Sequence, residues 1–145
     1  MNRPAGINIV IGIGIFAVIA MVAYWYAWFL TPSVVQARVP TDSDYAVYLG
    51  YEQAFPLPDL FVTIASLTGV IGLWKMRDWG FFSMLLAAGG AIFLGFEDLL
   101  FDLQHNMFFP FNGAAAIELA IVMVIMSLGP TMTWYLWKHR REIIK

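Results

Sequence analysis

Cysteine is absent from this chain, histidine occurs only twice, and charge is scarce. Without a thiol there is no disulfide, no thiolate metal centre, no iron–sulfur cluster and no cysteine nucleophile. Charged residues make up 12% of the 145 positions, against the roughly one quarter usual in soluble domains. The net charge of −2, with no basic patch among interleaved aromatics, leaves out the electrostatic footprint of a nucleic-acid binder. Phosphate-loop, dinucleotide, zinc-protease and nucleophile-elbow motifs are all missing. His105 and His139 have no partner histidine at matching depth, so a haem between facing imidazoles is not expected.

What is present is apolar. Hydrophobic residues account for 61% of the chain, more than a soluble core of this length can hide. The bilayer must therefore solvate most of it. A hydrocarbon core of ~30 Å takes about 20 helical residues to cross. Four stretches meet that length or approach it: Ile7–Leu30, Asp59–Met76, Gly80–Leu103 and Gly113–Trp137. The expected fold is one all-α, integral membrane four-helix bundle over residues 1–145. Ile7–Leu30 has no small-x-small cleavage pattern, and its length suits a retained span rather than a signal peptide.

Charge sets the expected orientation. Arg3, Lys75, Arg77, Lys138, Arg140, Arg141 and Lys145 fall on one side of the four-span arrangement, and Arg38 stands alone on the other. The positive-inside rule makes the first side cytoplasmic, with both termini inside. In a prokaryote that membrane is the plasma (inner) membrane. Eight of the ten Asp and Glu residues fall on the opposite side. Trp74, Trp79, Trp134 and Trp137 are expected in the inner aromatic belt, and Tyr24, Trp25, Tyr26 and Trp28 in the outer one.

The long connection is Thr31–Leu57, on the outer side. Within it Thr41-Asp42-Ser43-Asp44 can cap a helix, and Tyr45, Tyr48, Leu49 and Phe55 follow a helical rhythm. Tyr45–Ala54 is thus expected as a short amphipathic helix on the interface or over the bundle mouth. Ala87-Ala88-Gly89-Gly90-Ala91 should be a close-contact face of the third span, because small residues let helix backbones approach in lipid.

The candidate site is acidic. With residues 96–105 helical, Asp98, Asp102 and His105 stand at i, i+4 and i+7 on one stripe, and Glu97 lies about 100° around. Counting from Gly80 at about 1.5 Å per residue, Asp98 lies ~27 Å up the span. Glu118 should match that depth on the fourth span, with Asp59 and Glu52 bordering the entrance. Carboxylates at membrane depth cost roughly 2.5–3.5 kcal/mol each and usually face a cavity or partner. A bound cation would relieve their repulsion. Carboxylates with one imidazole suit a divalent metal, for which Asp98, Asp102 and His105 could converge. Alternatively, residues 102–106 are the solvated end of a helix, and the deeper acids hydrogen-bond Tyr24, Tyr26 or Tyr48. No cofactor is required by the sequence.

The string Phe96-Glu97-Asp98, together with four spans and inside termini, resembles the sterol-isomerase and sigma-2-receptor superfamily over those three residues. Glu52, Pro56, Pro58 and Asp59 loosely echo that family's acidic, proline-rich first loop. The resemblance implies a hydrophobic small molecule held between apolar walls and outer carboxylates. Three functions stay open: a ligand-binding or accessory subunit with an outward acidic pocket for a cation or amphiphile, a membrane acid/base enzyme acting on a lipid or sterol-like substrate, and a structural subunit. Beyond the lipid bilayer, the partners to expect are further copies of the chain or a larger membrane complex, and no nucleic acid.

Overall fold

In the computed structural model, residues 4–31 and 42–144 are described, and among them the chain is helical with no strand. Six helices follow in order: α1 (Ala5–Leu30), α2 (Asp42–Glu52), α3 (Pro56–Trp74), α4 (Asp78–Gln104), α5 (Gly113–Lys138) and α6 (Arg140–Ile143). α1, α3, α4 and α5 are long and apolar enough to cross a membrane, over Gly6–Leu30, Pro56–Trp74, Asp78–Gln104 and Ala115–Lys138. These are the four expected spans with shifted edges. α3 begins three residues early because Pro56 and Pro58 sit in its first turn, where a missing N–H removes no helical bond. The expected roles of Arg3, Arg38, Thr41 and Lys145 lie outside the described residues, as does side-chain capping by Asp42, Ser43 and Asp44.

The turn between α3 and α4 shows how so short a link reverses the chain. Met76 takes φ 50°, Met76 N–H donates to the Leu73 carbonyl at 3.1 Å, and Arg77 N–H to the Gly72 carbonyl at 2.9 Å. This is a Schellman ending with a methionine in the left-handed position that glycine or asparagine usually takes. α4 ends the same way at its far end. Asn106 has φ 53°, and Met107 N–H donates to the Asp102 carbonyl at 2.9 Å. α5 is capped by Asn112, whose Oδ1 accepts from Ala115 N–H at 3.0 Å.

α3 and α4 share the most extensive packing, α5 lies against α4, and α1 lies against α3 while touching α5 at few places. Small residues create the α3–α4 seam. A methyl group on Gly72 would overlap the Gly80 backbone, one on Gly69 would fall 2.9 Å from Met84 Cα, and one on Gly90 would fall 2.6 Å from Val62 Cγ2. The expected small-residue face is therefore split. Ala87 and Ala88 are buried and Gly90 meets α3, but Gly89 opens onto free space.

Two ends of different chemistry result. At one, Ile7, Leu73, Leu136 and Ile143 close the main core, and the described basic residues Lys75, Arg77, Lys138, Arg140 and Arg141 gather around it. At the other, Trp28, Tyr48 and Phe101 form a separate cluster joining α1, α2 and α4. Phe55, Val62 and Leu94 form a third beside it. α2 is thus held by its own aromatic residues across the end of the bundle. A helix is present over the expected segment, and it begins three residues earlier than Tyr45 and ends two residues before Ala54.

Candidate functional site at the acidic end

The acids reach this end from four different helices. Asp59 begins α3, and its Oδ2 accepts from Trp25 Nε1 at 2.9 Å. Glu52 ends α2, and its Oε2 accepts from the Tyr24 hydroxyl at 2.8 Å, with Tyr48 as a second hydrogen-bond partner. Asp98 on α4 accepts from the Tyr51 hydroxyl at 3.0 Å. Asp102 lies one turn further along α4 and is 4% exposed. Its Oδ2 is fully buried and accepts no hydrogen bond. Glu118 on α5 is close enough to interact electrostatically with Asp102, Asp98 and Glu52.

The structure thus brings together Glu52, Asp59, Asp98, Asp102 and Glu118, carried by four helices. No described Lys or Arg accompanies them, since all five described basic residues belong to the other end of the spans. Two candidates stand apart. Glu97 is exposed, because neighbouring helical residues point about 100° apart. His105 caps the end of α4, and its ring packs on Phe101 with centroids 4.4 Å apart. Among the described residues no three His, Asp or Glu side chains form a group that could hold a metal ion. Asp98, Asp102 and His105 therefore do not converge as their spacing suggested.

Aromatic rings wall the cluster. Tyr51 stacks on Phe101 at 3.9 Å and 8° from parallel, and it meets Phe55 edge-on at 4.6 Å. Trp28 meets Tyr48 at 6.1 Å and Trp25 at 5.9 Å. This departs from a simple outer belt. Trp28 is buried and Tyr24 and Trp25 are half-buried, leaving Tyr26 exposed as a belt residue would be. Tyr51 and Trp25 are the donors that sequence reasoning missed. The signal was present in α2, where Tyr48, Tyr51 and Glu52 stand at i, i+3 and i+4 on one face.

Electrostatics on α2, outside the spans, follow from burial. Burial raises the Glu52 carboxyl above its ordinary 4.5, the Tyr24 and Tyr48 hydrogen bonds oppose that rise, and nearby Glu118 and Asp59 add to it. The Tyr48 and Tyr51 phenols are also raised, first by burial and then by Glu52 and Asp98 respectively. Both phenols therefore stay protonated at neutral pH and keep their donor capacity. The arrangement supplies fixed donors to three acids and leaves one buried carboxylate oxygen seeking a donor or cation.

No protein family, curated protein or solved structure matches the chain.

Proposed function

We propose that this small multi-span membrane protein is a ligand-binding or accessory subunit that binds a cation, or the positively charged end of an amphiphile, at the acidic end. The observation that carries this reading is Asp102 Oδ2, buried without a donor and in electrostatic range of Glu118, Asp98 and Glu52. A buried acceptor without a donor costs roughly 1–3 kcal/mol, more when charged. A ligand that donates to Asp102 and adds positive charge offsets that cost and the repulsion together. The surrounding Trp and Tyr rings favour the same ligand, because ring faces attract cations. By the basic residues at the opposite end, the acidic end faces outward and both termini face the cytoplasm.

The test is a titration of the purified protein with ammonium, methylammonium and dodecylammonium, followed by tryptophan fluorescence. Trp25 and Trp28 report on the site. A saturable change with one of these probes, lost in Asp102→Asn, is the expected result. Flat titrations with all three would sink the proposal and favour a structural subunit.

A further inference from the structure

A second site lies at the opposite end. We infer that the rim formed by Trp134, Trp137, Lys138, Arg140 and Arg141 binds the phosphate of an anionic phospholipid. Lys138 Nζ stands 4.8 Å from the centroid of the Trp134 ring, and Arg140 Cζ stands 4.4 Å from that of Trp137. Arg140 Nη1 also donates to the Trp137 carbonyl at 2.7 Å. Two cations are thus held against two rings at neighbouring positions along one helix end.

The chain beyond α5 keeps them there. It turns at His139, and α6 folds back so that Ile143, 1% exposed, joins the core with Ile7, Leu73 and Leu136. The buried isoleucine tethers the segment, so Arg140 and Arg141 stay beside the bundle end rather than trailing into solvent. Glu142, the carboxylate in this segment, pairs with His139 Nδ1 at 2.9 Å. His139 in turn stacks on Tyr135 at 4.4 Å.

The occupant follows from charge and depth. Trp134 and Trp137 are 61% and 58% exposed at the end of a span, the position where tryptophan sits at headgroup level. A lipid phosphate there meets Lys138, Arg140 and Arg141 while its acyl chains run along the exposed apolar face of α5. Charge-assisted bonds to phosphate are about twice as strong as neutral ones, and anionic leaflets attract such juxtamembrane basic clusters.

The full chain in nanodiscs of mixed phosphatidylglycerol and phosphatidylcholine tests this by native mass spectrometry. Retention of phosphatidylglycerol several-fold above its share of the bilayer is expected. The Lys138→Gln/Arg140→Gln double variant should lose most of that excess, whereas Lys75→Gln/Arg77→Gln should keep it. Equal loss in both double variants would mean diffuse attraction to this end and would overturn the assigned rim. Absence of any preference in the unmutated chain would overturn the inference without need of a variant. Displacement of the lipid by millimolar inorganic phosphate would show a free-anion site instead.

Discussion

The Tyr51 ring lies flat on Phe101, 3.9 Å between centroids, while its hydroxyl donates to Asp98 Oδ1 at 3.0 Å. One side chain therefore fastens α2 to α4 by an apolar face and a polar tip. The two contributions can be separated. Tyr51→Phe keeps the stack and removes the donor, at a cost of about 1 kcal/mol for a part-buried hydrogen bond. Tyr51→Ala removes both and should release α2 to protease under conditions where Tyr51→Phe remains protected. Limited proteolysis of the two variants, followed by mass mapping, checks this order. Equal protection of Tyr51→Ala and the unmutated chain would contradict it.

The α3–α4 seam makes a sharper contrast. Gly72→Ala places a methyl group into the Gly80 backbone, which cannot move aside as a flexible side chain can. Overpacking of this kind typically costs about 1–3 kcal/mol, and backbone contact puts Gly72 at the upper end. Gly12→Ala and Gly89→Ala meet nothing within 4 Å and should be neutral or slightly stabilising, by up to ~1 kcal/mol of helix propensity. Thermal unfolding in one detergent orders the three.

The spans were legible in the sequence because length and hydropathy answer directly to bilayer thickness. α2 was legible for a related reason, since Tyr45, Tyr48 and Leu49 stand at i, i+3 and i+4, the helical spacing. Within the site, similar depth along α4 and α5 puts Asp98 and Asp102 in electrostatic range of Glu118, and depth is what straight helices preserve. The partners of these acids were less legible. Trp25 reads as a membrane-belt residue until α3 brings Asp59 to its Nε1, and a single sequence carries no trace of that crossing. His105 reads as part of the acidic stripe because spacing assumes the helix continues. The chain instead leaves the helix at that residue, and Asn106 turns left-handed.

Acidity should tighten the hold on α2. The folded-state Glu52 carboxyl is raised above its ordinary 4.5, so the docked helix binds a proton more readily than the undocked one. Docking is then favoured at low pH and weakens as pH rises from about the ordinary carboxylate value through the raised one. Hydrogen exchange across residues 42–52 should speed up over that window. Glu52→Gln should flatten the dependence, and a profile unchanged by that substitution would assign the titration elsewhere.

Asp102→Asn separates a structural acid from a binding one. The amide replaces a buried carboxyl whose Oδ2 has no hydrogen-bond partner, so the ligand-free protein should be as stable as before or more so. Ligand-induced stabilisation should disappear in the same variant. A large loss of ligand-free stability would instead mark Asp102 as part of the scaffold.

Native mass spectrometry of the protein, extracted gently from its own membrane, tests the central claim most directly. A reproducible added mass of a cation or a cationic amphiphile, present on the unmutated chain and absent from Asp102→Asn, is the predicted result. A chain that emerges bare, or bound only to a second polypeptide, with and without the substitution, would contradict it.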